Sequence, residues 1–192
     1  MWPILFFSVY AVALIVERWL KYRKDEHALN GELACMLELS AYSAKDHERF
    51  AGSVVTGKIA TAIYKGRDMD HEHLKDKARN AFMDETAAVE RHLGAISVIA
   101  TLLPMLGLLG TVVGMIISFN SIALHGTGDP KVLANGISQA LITTEAGLVA
   151  SIPLIYLHQI LSVRAESIIR KLDEFATHLT HIIRNENSEV GE

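Results

Sequence analysis

GAISVIATLLPMLGLLGTVVGMIISFNSIAL, residues 94–124, decides the fold, because it carries no Asp, Glu, Lys or Arg from end to end. As a helix rising about 1.5 Å per residue it reaches about 45 Å, well beyond the roughly 30 Å hydrocarbon core of a bilayer. An uncharged run of that length reads as a membrane span that continues past the lipid as a stalk. Along it Gly107, Gly110, Thr111, Gly114, Ser118 and Ser121 recur at spacings of three and four, a ribbon of small side chains on one helix face.

Outward from this stretch, residues 132–163 form a second long apolar run, interrupted by Glu145 alone, with Ala140, Thr144, Gly147 and Ser151 as its own small face. Between the two lies HGTGDPK, residues 125–131, whose glycines and proline end one helix and start the next in a tight hairpin. Upstream, Trp2 to Val16 is uncharged but only about 22 Å long, so Arg18, Lys21 and Arg23 must snorkel from its inner end. It lacks the positive n-region and small-residue cleavage pattern of a secretory signal and reads as a retained anchor. The expected fold class is therefore all-α: a polytopic membrane protein with three transmembrane helices and long helices extending into the cytoplasm. In chain order, residues 1–20 are the first span, 21–93 a cytoplasmic helical segment and 94–124 the second span. Residues 125–131 are a periplasmic hairpin, 132–163 the third span and 164–192 a cytoplasmic helix and tail.

Composition agrees with this. Half of the residues are hydrophobic and 21% are charged, a balance that favours membrane lipid as the surroundings. A net charge of −4 supplies no basic field, which excludes nucleic acid as a partner. Twelve of the 18 Lys and Arg fall in 21–93 and only Lys131 in the hairpin, so the larger segment is expected in the cytoplasm and the N-terminus outside. Within that segment Leu29, Leu33, Met36 and Leu37 share a helical face, as do Phe50, Val54, Ile59 and Ile63 after a break at Gly52, predicting two short helices. From Asp70 the helical period runs through Leu74, Ala78, Ala81, Phe82, Val89 and Leu93, predicting one uninterrupted helix into the second span. After the third span, Leu161, Ala165, Ile168, Leu172, Phe175, Leu179 and Ile182 mark a packed helical seam, and Asn185 to Glu192 reads as a frayed polar tail.

Conventional chemistry is not legible. Cys35, the single cysteine, reads as a reduced thiol. His71 and His73 alternate around a helix, and His178 and His181 share a face without a third ligand, so solvated histidine is expected rather than a metal site. No nucleophile–base pair or phosphate-cradling loop points to an enzyme, and no cofactor is implied. The membrane helices are more informative. Small faces let backbones approach closely in lipid, which makes Gly107, Gly110, Gly114, Ala140 and Gly147 helix-packing residues. Thr111, Thr143 and Thr144 add hydroxyls that can hold water or a partner's titrating group along a pathway. Glu145, near the middle of its span, must be protonated, face water, or meet a cation or hydroxyl from a neighbouring helix, and it joins the three threonines as a candidate proton-pathway residue; Gln139, six residues earlier, faces a different direction. Pro104 and Pro153 each remove a backbone donor inside a span and predict kinks.

PMLGLLGTVVGMIISF at 104–119 and GISQALITTEAGLVASIP at 136–153 resemble the two core spans of the MotA/TolQ/ExbB proton-channel family, and Glu17-Arg18 with the GTGDPK hairpin is similar to its ExbB branch. The resemblance implies a homo-oligomeric ring, pentameric in the family, around single-span helices of an ExbD-like partner that carries an intramembrane aspartate. It implies a TonB-like energy transducer, and Thr111 and Thr144 as the pore-facing threonines of the proton pathway. Where the family often carries a glutamate this chain has Gln139, and Glu145 occupies a position commonly small or apolar. Three spans and one large loop fit the ExbB or TolQ type better than the flagellar stator. The motifs leave TonB-type and TolA-type partners open, with the hairpin favouring ExbB. A passive scaffold, in which the small faces only pack helices, is the competing class. A secondary transporter would need the repeat symmetry that this chain lacks.

Overall fold

The structure is a computed structural model, and it describes residues 2–39, 42–67, 69, 71–125 and 130–190. Six helices follow one another: α1 (Trp2–Leu37), α2 (Ala44–Ala51), α3 (Gly57–Lys65), α4 (His71–Glu90), α5 (Leu93–His125) and α6 (Pro130–Val190). Among the described residues there is no strand. Three helical stretches are long and apolar enough to cross a membrane, one in α1, one reaching through α5 and one in α6. The protein is an all-α, multi-pass membrane protein. Helices suit that environment because every backbone polar group inside the lipid is satisfied within its own segment.

The chain divides into two compact units, Met1–Arg18 with His92–Leu161, and Trp19–Arg91 with Ser162–Glu192. In the first, Ile4, Ala11 and Ile15 of α1, Ile96, Ala100 and Leu103 of α5, and Ala140 and Leu154 of α6 are buried. The remaining faces of these helices expose large apolar side chains such as Phe6, Met105, Leu108, Leu141 and Ile152. That inversion of the usual soluble pattern is what lipid or neighbouring membrane helices require. α5 and α6 run through Pro104 and Pro153 without ending.

The second unit is packed like a soluble helical domain. α2 opens with a capping box: the Lys45 amide donates to Ser43 Oγ at 3.3 Å, and the Ser43 amide donates to Asp46 Oδ2 at 3.0 Å. The turn into α3 is tight enough that a Cβ on Gly57 would lie 2.8 Å from the Ala51 carbonyl oxygen. Phe50 packs edge-on against Phe175 with ring centroids 5.5 Å apart, and His47 stacks on Tyr64 at 4.0 Å. Tyr42 sits in the same cluster, and burial, reinforced by Asp46 and Tyr64, pushes its phenol well above the ordinary tyrosine range. Tyr22 donates to the Val89 carbonyl at 2.7 Å, Thr56 to Glu32 Oε2 at 2.6 Å, and Lys58 pairs with Glu85 at 2.8 Å.

Three expectations are modified. The two short helices are instead the end of a continuous α1 followed by the separate pair α2 and α3, and Val54 is 84% exposed between them. α1 persists because Ile4, Ala11, Arg18 and Asp25, and likewise Ile15, Tyr22, Leu29 and Met36, are buried at intervals of seven. Arg18 and Asp25 disguise the first of these stripes. The uninterrupted helix into the second span is broken at Arg91–His92, where His92 takes φ 71, a left-handed conformation that the sequence does not flag with glycine. The tail stays helical to Val190, since no glycine or proline lies between Pro153 and Gly191 and each added residue gains a helical hydrogen bond. The hairpin's residues 126–129 lie outside the described residues.

Candidate functional site: the crossing of α5 and α6

The small faces of α5 and α6 meet. A Cβ on Gly107 would stand 3.0 Å from both the Thr143 carbonyl oxygen and the Thr144 Cα, and one on Gly147 would stand 2.7 Å from the Leu103 carbonyl oxygen. A Cβ on Gly110 would meet Thr143 Cβ at 2.8 Å, and one on Gly114 would meet Ala140 Cβ at 2.9 Å. Only glycine lets these backbones approach so closely, the arrangement by which small residues hold helices together in lipid. Gly136 joins the crossing, its missing Cβ replaced by the Ser118 hydroxyl. The spacing of three and four identified the α5 ribbon, whereas Gly136 has only its distance of four from Ala140 to announce it.

Close approach also places hydroxyls. Thr144 Oγ1 donates to the Gly107 carbonyl of α5 at 3.1 Å. Thr143 Oγ1 donates to its own Ala140 carbonyl at 2.7 Å and lies 3.4 Å from the same Gly107 oxygen. Thr111 is not brought to this junction. It sits at the exposed edge of the ribbon, and its hydroxyl donates to the Leu108 carbonyl at 2.7 Å. All three threonines therefore spend their proton on backbone carbonyls and present oxygen lone pairs, which can accept from a protonated carboxyl or a water. Glu145 and Gln139 both lie exposed on α6, away from the crossing and on different sides of the helix. Among the described residues Glu145 has no hydrogen-bond or ion-pair partner within the chain.

A polar cluster that the sequence did not announce closes the other end of this unit. Arg18, 2% exposed, places Nη2 3.3 Å from His92 Nδ1 and 4.0 Å from Glu17 Oε1, and His92 Nδ1 lies 3.7 Å from Glu17 Oε2. The guanidinium donates when Nδ1 is the unprotonated nitrogen. These contacts lie where α4 ends and α5 begins, at the residue that takes the left-handed conformation. Among the described residues no three His, Cys, Asp or Glu side chains converge as metal ligands would.

Three apolar helices, two of them joined by glycine-to-backbone contacts and lined by acceptor hydroxyls, define a multi-pass membrane protein built around a helical crossing rather than a pocket. Residues 46–174 match the model of the MotA/TolQ/ExbB proton channel family, and the chain belongs to that family. Within it the chain is ExbB-like. It is 31% identical over 187 residues to biopolymer transport protein exbB1 of Vibrio cholerae serotype O1, covering 90% of this chain and 78% of the Vibrio protein. It is 37% identical over 95 residues to biopolymer transport protein ExbB of Salmonella typhimurium, covering 47% of this chain and 39% of that one. With ExbB of Xanthomonas campestris pv. campestris it shares 29% identity over 141 residues, 73% of this chain and 53% of that protein. The chain thus spans most of the Vibrio relative and about half or less of the other two.

Proposed function

We propose that this chain is the ring-forming subunit of an inner-membrane proton channel that couples the proton-motive force to mechanical work on a TonB-like protein for outer-membrane import. In this reading several copies surround the single-span helix of an ExbD-like partner. The N-terminus is periplasmic and the C-terminus cytoplasmic, and the protein moves an ion without catalysing covalent chemistry. The observation that carries it is the set of threonine hydroxyls pinned to backbone carbonyls at and beside the α5/α6 crossing. A carboxylic acid on the partner's helix can donate to those lone pairs when protonated. When ionised it must seek water or donors elsewhere, so each titration shifts the partner's preferred angle against the track. The names of the relatives, biopolymer transport proteins, support transport rather than motility.

A passive scaffold is the second reading, favoured by how much of the crossing is backbone contact. Proton flux into vesicles under an imposed pH gradient, with and without an ExbD-like partner, separates the two. The channel predicts partner-dependent flux that Thr144→Val or Thr111→Val reduces while assembly persists. Assembly without flux under any condition, or threonine variants that change assembly alone, selects the scaffold.

A further inference from the structure

Glu145 is the one charged side chain type, Asp, Glu, Lys or Arg, between Leu133 and Val163. It lies about 130° around α6 from the face that packs on α5, among the exposed side chains of Leu141, Leu148, Val149 and Ile152. A polar head that meets only hydrocarbon at mid-span is costly in either protonation state, so this face is covered by something other than lipid. We propose that the cover is α5 of a second copy of this chain, and that Glu145 of one copy hydrogen-bonds Thr111 of the next across the boundary.

Depth and direction support this pairing. The contacts of Gly107 with Thr144 and of Gly114 with Ala140 place Thr111 level with residues 141–142 of α6, about one helical turn from Glu145. Copies related by rotation about the membrane normal share depths, so the same offset holds between neighbours. Helical side chains lean toward their own N-terminus. Because α5 and α6 are antiparallel, Glu145 and Thr111 lean toward each other and close that turn. Thr101, exposed on α5, lies on the other side, away from which Glu145 leans. With its hydroxyl proton on the Leu108 carbonyl, Thr111 accepts from a protonated Glu145. The contact sets a carboxyl from the neighbour beside a threonine assigned to the proton pathway, at every subunit boundary.

This inference rests on the self-assembly proposed above, and the experiment separates the two. Two differently tagged chains, both carrying Cys35→Ser, are co-expressed in membranes, one with Glu145→Cys and the other with Thr111→Cys, and treated with a short bifunctional thiol reagent. A product carrying both tags is expected, and it is lost when Thr101→Cys replaces Thr111→Cys. The mass of each detergent-extracted assembly is measured in parallel. Intact multimers without the two-tag product, or a product with Thr101→Cys alone, overturn the contact and leave self-assembly standing. Single chains overturn both.

Discussion

The crossing of α5 and α6 and the core around Phe175 solve the same problem, holding helices together, by opposite means. At the crossing nothing larger than a threonine stands between the backbones, and three glycines of α5 touch main-chain or β-carbon atoms of α6 almost directly. Around Phe175 the contacts are between large side chains: Phe50, Leu172 and Leu179 are buried with it, and the rings meet edge to face. The difference follows from the solvent. In water, removing apolar area gains about 25 cal/mol per Å², so large buried side chains carry the stability. Between membrane helices lipid competes on equal terms, and close backbone packing with hydroxyl-to-carbonyl bonds is what remains.

Substitutions can break each half of that contrast. The largest effect is expected from Phe175→Ala, which empties a fully buried ring site and should destabilise its unit by about 3–5 kcal/mol in denaturant melts followed by fluorescence or circular dichroism. Gly147→Ala adds one methyl 2.7 Å from the Leu103 carbonyl oxygen and should cost about 1–3 kcal/mol in detergent melts of the membrane unit. An unchanged melting point would refute backbone contact as the means of cohesion. Thr144→Val removes the bond to Gly107 at little change in volume and should cost about 1 kcal/mol in the same assay. Gly94→Ala sharpens the comparison, because that position has open space around it and the substitution should be neutral or stabilise α5 by up to about 1 kcal/mol.

The smallest effect belongs to an ion pair of the second unit that joins the exposed Lys58 to the buried Glu85. Its hydrogen bond to Glu85, then the carboxylate's charge, holds the Lys58 ammonium above the ordinary lysine range. A raised pKa of this kind stabilises the fold fully below the unfolded lysine value of about 10.4, and the gain is lost as pH rises through the folded one. Alkaline melting curves should therefore show a limb that Glu85→Gln flattens, with a small amplitude because Lys58 is largely solvated.

Much of this architecture was legible. The uncharged runs around Gly107 and Gly147 and their spacing of small residues point to two spans packed closely, because charge exclusion and helical period are properties of the chain itself. The seam from Leu161 to Ile182 was equally plain, and all seven of its residues are buried. Thr111 was harder: the sequence put it on the same ribbon as Gly107, and only the helix rotation seen in the structure moves it to the edge while Thr144 reaches α5.

By itself the sequence determined the class of protein, the three spans and the small faces on which the second and third pack. Those follow from transfer of side chains into lipid and from a period of 3.6 residues, both local properties. Only the tertiary structure decided the break at His92, the continuity of α1 past Arg18 and Asp25, and the solitary position of Glu145. Each depends on which distant group arrives within hydrogen-bond reach. Arg18 and His92 are 74 residues apart, and no reading along the chain could bring them to 3.3 Å.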